Sequence, residues 1–509
     1  MISPLTPLDF LARSASVYSD RVAVVDGARN FTYREFSERV HRLAGALQQF
    51  GIRPSDRVAV LAFNGVMPLE AHFGPLLIGA VLVMLNTRLA APELAWILKH
   101  CGARILLVDP ALRHLAPDDP DLRVVDDYEG LLAAGAPPSL ADVTDENGLI
   151  AINYTSGTTG FPKGVMFTHR GAWVNAMGEL TEHGLDSGTI YLWTLPMFHC
   201  NGWCFAWAVT AAGGRHICLP RPDAAEAVRL IEAEGVTHLC GAPVVVAALA
   251  QYCADHAIRF SHPLRIVTAG APPPPAVIRA AEETGAELSH VYGLTETYGP
   301  HTICISKPEW RGLALADRAQ AKARQGVPYM VAGTDLRVVD GSMRDVPHDG
   351  ETMGEVLMRG NNVMLGYYDN PEATAEAFEG GWFHSGDLAV VHTDGYIELR
   401  DRKKDIVISG GENISSIEVE KVLADHPAVA EVAIVAEPDA KWGEVPKAYV
   451  GLKPGATATA EELTEWCRAR MAHFKCPHHV EFGPLPRTAT GKIRKNELRA
   501  RQRATQAGE

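Results

Sequence analysis

A segment rich in glycine and hydroxyl groups, YTSGTTGFPKG, spans residues 154–164 and carries a single lysine, Lys163. Glycines let backbone N–H groups approach an anion closely, and the hydroxyls of Ser156, Thr158 and Thr159 add further donors. A flexible surface linker would share this composition, but apolar strand-like runs flank this segment on both sides. The segment is therefore predicted to bind phosphate.

The spacing of this segment differs from that of a P-loop. A P-loop follows the pattern GxxxxGK[ST] and leads from a strand directly into a helix. Here Gly164 follows Lys163, and the residues GVMFTH alternate like a second strand, so that a helix starts only after Thr168 and His169. We predict the order strand, loop, strand, helix, and an ordinary P-loop ATPase is disfavoured.

Short apolar runs alternate with amphipathic helices over most of the chain. The helices include residues 92–102 and 224–235. The runs that predict buried strands are 57–63, 80–86, 103–109, 149–155, 237–243 and 264–270. This alternation is typical of an α/β fold with largely parallel sheets.

The pattern changes toward the C-terminus. Residues 387–402 predict a β-hairpin with an Asp-Gly turn, and Ser415 followed by Glu418 predicts the start of a helix. Strand-like and helical runs then follow one another in a small α+β module. We predict two domains, 1–403 and 404–509.

Composition and charge exclude some classes of function. The 509 residues carry a net charge of −14, whereas a general nucleic-acid binder would be basic. The nine cysteines are irregularly spaced, which argues against a disulfide framework and for a reducing compartment. Cys200 and Cys204 lie near His199, but no second ligand pair is nearby, so zinc is disfavoured.

Neither end of the sequence matches a targeting signal. The N-terminus lacks a basic region followed by an apolar run, and the C-terminal ATQAGE differs from a peroxisomal address. The longest apolar run, residues 76–85, is about half the length that a membrane span needs. We expect a cytoplasmic protein without a membrane span, and leave a homodimer open.

Seven ordered segments show that the chain resembles the adenylate-forming superfamily, which includes acyl-CoA synthetases, aryl-CoA ligases, luciferases and peptide-synthetase adenylation domains. They span almost the whole chain and are YTSGTTGFPKG (154–164), LPMFHCNGW (195–203), VYGLTET (291–297), GEVLMRGNNVMLGYY (354–368), WFHSGDL (382–388), RDRKKDIVISGGENISSIEVE (400–420) and PRTATGK (486–492). The resemblance implies a large N-terminal multi-sheet α/β domain and a small mobile α+β C-terminal domain, the acyl-adenylate synthetase fold.

The resemblance also implies a reaction in two halves. A carboxylate attacks the α-phosphorus of ATP and expels pyrophosphate, with Mg²⁺ present, and the thiol of CoA then attacks the acyl adenylate and expels AMP. By this resemblance Lys492 bridges the α-phosphate and the attacking carboxylate, and Glu296 binds the metal. Thr295 contacts the α-phosphate, and His199 lies beside the acyl carboxylate.

The remaining site residues also follow from the resemblance. Lys404 occupies the hinge, and Gly410 and Gly411 line the CoA channel. Asp401 stands here in place of the glycine of the usual Gly-Arg pair before the hinge, and no catalytic residue of the family is missing. The implied nucleotide-binding residues are Thr155, Ser156, Gly157, Thr158, Thr159, Gly160, Lys163, Gly270, Ala271, Tyr292, Gly293, Asp387 and Arg402.

The identity of the acid is less strongly indicated. Trp193, Trp203 and Trp207 cluster around the motif that borders the acyl pocket in the family, and a tryptophan facing the pocket would block long chains. We predict a small acid, short or medium aliphatic or aromatic, as in fatty acid metabolism. The alternatives are transfer of the adenylate to a carrier-protein thiol or an amine, adenylation of an unusual acid, and a nucleotide-binding regulator without turnover.

Overall fold

The strands and helices follow the alternation predicted from the sequence. The computed structural model describes residues 3–155, 162–330, 335–403, 405–409, 412–439, 441–487 and 493–506. Within these ranges the strands are β1 (Val22–Asp26), β2 (Arg29–Thr32), β3 (Arg57–Leu61), β4 (Val81–Met84), β5 (Ala103–Val108), β6 (Arg123–Val125), β7 (Leu149–Thr155), β8 (Lys163–Thr168), β9 (Ile190–Trp193), β10 (Arg215–Cys218), β11 (His238–Gly241), β12 (Arg265–Thr268), β13 (Glu287–Leu294), β14 (Gly299–Ile303), β15 (Val327–Pro328), β16 (Asp335–Val339), β17 (Gly354–Arg359), β18 (Gly366–Tyr367), β19 (Phe383–Val391), β20 (Ile397–Arg402), β21 (Val407–Ser409), β22 (Glu412–Ile414), β23 (Val429–Asp439), β24 (Gly443–Leu452) and β25 (His479–Phe482).

The helices of the described ranges vary from single turns to more than four turns. They are α1 (Leu8–Val17), α2 (Tyr33–Gln49), α3 (Val66–Ala71), α4 (Gly74–Leu77), α5 (Ala91–Cys101), α6 (Tyr128–Ala134), α7 (His169–Glu182), the single turn α8 (Cys200–Trp203), α9 (Phe205–Ala212), α10 (Ala224–Glu234), α11 (Pro243–Asp255), α12 (Pro275–Glu283), α13 (Leu315–Lys322), α14 (Pro371–Ala377), α15 (Ser416–Ala424), α16 (Ala460–Arg468) and α17 (Lys495–Gln506). None of these helices combines the length and the apolar character that a bilayer-spanning helix requires.

Two large sheets carry the N-terminal part of the chain. One has the order β15-β14-β13-β12-β11-β9-β10-β1-β2 and runs parallel from β13 to β1. The other has the order β18-β8-β7-β4-β3-β5-β6 and runs parallel from β7 to β6, with β8 and β18 antiparallel at its edge. The prediction of an α/β fold with largely parallel sheets is confirmed.

Two smaller sheets lie in the C-terminal part. One has the order β16-β17-β19-β20, and β19 and β20 form the predicted antiparallel hairpin. The other has the order β22-β21-β24-β23, with β25 parallel to β24. Helix α15 starts after Ser415, whose hydroxyl accepts a hydrogen bond from the backbone of Glu418 at 3.2 Å, as the sequence predicts.

Backbone contacts group the chain into two compact units. Unit 1 comprises residues 1–336 and 358–383, and unit 2 comprises residues 337–357 and 384–509. Each unit has its own apolar core. The predicted domains 1–403 and 404–509 are separated at a hinge residue. A grouping by backbone contacts does not test the position of a hinge, so this boundary stays a prediction.

Candidate active site

The segment that is predicted to bind phosphate connects two antiparallel strands near the edge of a unit 1 sheet. Strands β7 and β8 pair up to Thr155 and Lys163, which lie opposite one another. Thr168 then caps α7 by accepting a hydrogen bond from Gly171 at 3.0 Å. The predicted order of two strands followed by a helix is therefore confirmed, and the loop predicted between the strands falls on residues 156–161, outside the described residues. The implied phosphate contacts Ser156, Gly157, Thr158, Thr159 and Gly160 lie outside the described residues.

Lys163 and Glu296, both implied to bind ATP or its metal, contact the same tyrosine. The Nζ atom of Lys163 lies 4.7 Å from the centre of the Tyr367 ring. The hydroxyl of Tyr367 donates a hydrogen bond to Oε1 of Glu296 at 2.9 Å. Burial first, and then the Glu296 carboxylate, raise the pKa of Tyr367 above its ordinary value, so this hydroxyl stays a donor.

The metal motif, VYGLTET (291–297), in which the resemblance implies that Glu296 binds the metal, ends in a tight turn between β13 and β14. Thr295 and Glu296 lie in a short 3-10 helix that follows β13, and the strands on either side pair with each other. A Cβ atom on Gly293 would lie 1.9 Å from the carbonyl oxygen of Gly299, so only glycine fits there. This close approach positions Thr295 and Glu296 at the end of a parallel strand.

The implied adenine contacts lie at or near the carboxyl ends of two neighbouring parallel strands. Gly270 and Ala271 come after β12, and Tyr292 lies in β13, which pairs with β12 in parallel. Gly270 adopts a φ of 94°, a backbone conformation that favours glycine. Carboxyl ends of adjacent parallel strands share one edge of a sheet, which is where ligands bind in α/β folds.

The motif LPMFHCNGW ends in a turn with left-handed backbone. Residues 200–204 all have positive φ, between 42° and 64°, although only Gly202 is a glycine. Left-handed conformations cost roughly 1–2 kcal/mol for each non-glycine residue, so surrounding contacts must hold the turn. Asn175 donates to Sγ of Cys204 at 3.3 Å, and Cys200 Sγ donates to Oγ1 of Thr295 at 3.5 Å. The turn thus joins His199, which precedes it, to the metal motif.

The three tryptophans of the predicted acyl pocket pack around this turn. Trp193 and Trp207 are fully buried, and their indole N–H groups donate to His216 Nδ1 at 3.1 Å and to the carbonyl of His72 at 3.3 Å. Trp203 lies against the backbone of Gly299, next to the metal motif. Trp203 therefore packs beside the turn that carries Thr295 and Glu296.

The implied ribose contacts form a pair in unit 2. Asp387 of β19 lies opposite Arg402 of β20, and Nε of Arg402 is 3.2 Å from Oδ1 of Asp387. The Asp387 side chain is buried, and a carboxylate can accept two hydrogen bonds from adjacent hydroxyls. Ribose contact by this pair fits the geometry of the hairpin.

The segment that leads out of the PRTATGK motif is anchored in unit 2. Ile493 pairs with Arg487 in a β-bridge, and Lys495 starts α17. Nζ of Lys495 lies 2.7 Å from Oε1 of Glu420 and 2.5 Å from Oγ of Ser416. Lys404, Gly410, Gly411 and Lys492 themselves lie outside the described residues.

Glu296 fits a magnesium ion that is shared with ATP. Mg²⁺ in phosphate-transfer sites is bound by one or two carboxylates, with phosphate oxygens and water completing the shell. Glu296 is only partly buried, and its carboxylate is oriented by the hydroxyl of Tyr367. In the part of the chain that the structure describes, no group of three or more His, Cys, Asp and Glu side chains could hold a metal alone.

Some residues of the site were missed in the sequence. Tyr367 lies within the motif GEVLMRGNNVMLGYY, so the motif could have directed attention to it, but its contacts with Lys163 and Glu296 depend on the fold. Asn175 and Tyr298 support the left-handed turn from distant segments: Asn175 donates to the Tyr298 carbonyl at 3.0 Å. No local pattern marks these two residues.

Comparison with known families covers most of the chain. The family model described as AMP-binding enzyme matches residues 11–368, and the model of the AMP-binding enzyme C-terminal domain matches residues 418–492. The first covers all the implied site residues of unit 1 and the second covers the segment that ends at Lys492.

Curated relatives match along their whole length. The chain is 46% identical to 4-hydroxybutyrate–CoA ligase 2 of Metallosphaera sedula, an alignment that covers 99% of this chain and 95% of the relative. It is 44% identical to the peroxisomal acetate/butyrate–CoA ligase AAE7 of Arabidopsis thaliana, with 98% and 94% covered.

Solved structures share the fold. The o-succinylbenzoate CoA synthetase of Bacillus subtilis in complex with its acyl-adenylate intermediate superposes with a TM-score of 0.86 at 27% identity, covering 96% of this chain and 97% of that one. The same enzyme in complex with ATP and a magnesium ion gives a TM-score of 0.83 at 27% identity, covering 96% and 99%.

Proposed function

The chain belongs to the AMP-binding enzyme family, and from that premise we propose that it is an AMP-forming acid–thiol ligase for a short carboxylic acid. The observation that supports the proposal is that Lys163 and Glu296 both contact Tyr367, which brings a cation close to the carboxylate that we propose as the metal ligand. Relatives named as CoA ligases for small acids support the acceptor and the substrate class.

In the first half-reaction a carboxylate oxygen of the acid bonds to the α-phosphorus of ATP. The bond between that phosphorus and the oxygen that bridges it to the β-phosphorus breaks, and pyrophosphate leaves. Two anions must meet, so the site has to offset their charge and hold an in-line geometry. Lys163 and the phosphate segment bind the phosphates, Thr295 contacts the α-phosphate, and Lys492 bridges it to the acid. Magnesium, held by Glu296, would neutralise charge on the phosphate oxygens.

In the second half-reaction the sulfur of CoA attacks the carbonyl carbon of the acyl adenylate. The carbon–oxygen bond to AMP breaks, and the thiol proton is lost. Gly410 and Gly411 line the thiol channel in this proposal. Rotation at Lys404 withdraws Lys492 from the site and brings this channel to the acyl adenylate. Asp387 and Arg402 hold the ribose, and the residues after β12, with Tyr292, hold adenine.

The substrate is a short aliphatic acid. Trp203 limits the length of the acyl chain because it packs beside the metal motif, and Trp193 and Trp207 are fully buried near the same turn. Two curated relatives are named for 4-hydroxybutyrate and for acetate or butyrate. A cytoplasmic location and a role in fatty acid metabolism complete the proposal.

A panel of acids tests the proposal. The purified protein is incubated with ATP, Mg²⁺ and acids from acetate to decanoate, including 4-hydroxybutyrate and benzoate, with and without CoA. We expect AMP, pyrophosphate and a CoA thioester with the short acids. AMP and pyrophosphate with CoA unchanged would favour another acceptor, and binding of ATP without any acid-dependent turnover would favour the regulator.

A further inference from the structure

Tyr367 lies between two residues of the ATP site that come from different elements. Its hydroxyl donates to Oε1 of Glu296 at 2.9 Å, and its ring faces Nζ of Lys163 at 4.7 Å from the ring centre. Only 8% of the residue is exposed. One side chain therefore contacts both the metal-binding carboxylate and the phosphate-binding ammonium.

The backbone around Tyr367 is fixed to the same two partners. Strand β18 pairs with β8, which begins at Lys163, and Tyr367 lies opposite Val165. The backbone N–H of Met364 donates to the carbonyl of Glu296 at 2.7 Å. The backbone N–H of Tyr367 donates to Oγ1 of Thr374 at 2.9 Å. Tyr367 is thus held by rigid elements that also hold Lys163 and Glu296.

Two physical effects follow from this placement. A hydroxyl that donates to one carboxylate oxygen limits rotation of the carboxylate, as outer-shell partners of metal ligands do. The negative face of an aromatic ring attracts an ammonium group and restricts its position. Both effects reduce the ordering that ATP and its metal must impose when they bind.

We propose that Tyr367 is a positioning residue, which orients Glu296 for magnesium through its hydroxyl and Lys163 for phosphate through its ring. This inference rests on the proposed function for the identity of the ligands. It assigns two separable roles to two parts of one side chain, so variants can test each role alone.

Tyr367→Phe removes the hydroxyl and keeps the ring. The measurement is the affinity for α,β-methylene-ATP, which cannot be cleaved between the α- and β-phosphates, by calorimetry with Mg²⁺ and with EDTA. We expect the gain in affinity that Mg²⁺ provides to fall by about 10-fold or more, in line with other losses of outer-shell partners. Affinity in EDTA should stay near that of the wild type.

Tyr368→Phe is the matched control. Tyr368 is the next residue along the chain, just beyond the end of β18, and its ring lies 5.8 Å from that of His100. Its variant should leave both affinities unchanged. Tyr367→Leu, which removes the ring as well, should also weaken binding in EDTA.

The inference is overturned if Tyr367→Phe leaves the magnesium gain unchanged. It is also overturned if Tyr367→Phe lowers thermal stability and weakens binding equally with and without magnesium, because that pattern indicates a purely structural role. Neither acid nor CoA is present in these titrations. A failure to form any CoA thioester would therefore refute the proposed function without affecting this result.

Discussion

The Lys495→Met substitution should impair the first half-reaction far more than the second. Lys495 starts α17 three residues after Lys492, and its ammonium binds Glu420 at 2.7 Å and Ser416 at 2.5 Å. Methionine keeps much of the length of the side chain and removes the charge. The segment that carries Lys492 would then lose its anchor on α15.

The expected loss of stability follows from the exposure of the ion pair. The Lys495 and Glu420 side chains are 15% and 19% exposed. Exposed pairs contribute about 0–1 kcal/mol, and breaking a buried pair costs about 3–5 kcal/mol, so we expect about 2 kcal/mol here. Burial already raises the pKa of Glu420, which eases its protonation and keeps the cost from being higher.

The expected loss of rate follows from the proposed role of Lys492, which lies three residues before Lys495 in the sequence. Misplacing a reacting group by about 1 Å can cost on the order of 100-fold in rate. The assay measures acid-dependent exchange of pyrophosphate into ATP for the first half-reaction, and thioester formation from a synthetic acyl adenylate for the second. We expect exchange to fall by about 10- to 100-fold, with the second half-reaction within a few-fold of wild type.

Lys447→Met controls for a general loss of stability. Lys447 also lies in unit 2, is 16% exposed and pairs with Glu437 and Glu481 at 3.4 and 3.2 Å, but these partners lie on β23 and β25 rather than on α15. Its variant should affect both half-reactions alike. An equal loss of both half-reactions in Lys495→Met, or an unchanged exchange rate, would refute the reasoning.

Further variants test the strand turn, the acyl pocket and the buried histidines. Gly293→Ala would place a Cβ atom 1.9 Å from the Gly299 carbonyl oxygen, so pyrophosphate exchange and the melting temperature should both fall, and a normal melting curve would contradict this. Trp203→Leu should raise kcat/KM for longer acids relative to short acids by about 10-fold. Trp193→Phe should lower the melting temperature without changing this ratio. A panel of acids compares the two variants. Burial lowers the pKa of His216 from 6.5 to about 3, so its neutral form contributes stability that is complete above pH 6.5 and is lost as pH falls toward 3. At about pH 5 this loss amounts to about 2 kcal/mol of folding free energy. His216→Gln should therefore reduce the fall in melting temperature between about pH 7 and pH 5. An unchanged fall would contradict this role of His216.

Much of the fold could be predicted because its signals are local. The apolar runs at β3, β5 and β7 and the capping pair at the start of α15 depend on residues close together in the chain. The order of strand, loop, strand and helix around Lys163 was predicted from alternation and spacing alone. The roles proposed for Lys492, Glu296 and Asp387 rest on ordered motifs rather than on periodicity.

The remainder of the site depends on long-range contacts. Tyr367 meets Glu296 across 71 positions of sequence, and Asn175 meets Tyr298 across 123. The left-handed turn after His199 contains only one glycine, so its residue types do not predict a left-handed conformation. Such features arise only when segments that are distant in the sequence pack together in the fold.

Isotope transfer from the acid tests the central claim most directly. The acid is labelled with ¹⁸O at both carboxylate oxygens and incubated with ATP, Mg²⁺, CoA and the protein. Mass spectrometry then measures the number of ¹⁸O atoms in each product. Attack on the α-phosphorus followed by thiolysis predicts one ¹⁸O atom in AMP, one in the acyl-CoA and none in pyrophosphate. Label in inorganic phosphate together with ADP, or acyl-CoA formed with unlabelled AMP, would contradict an acyl-adenylate route.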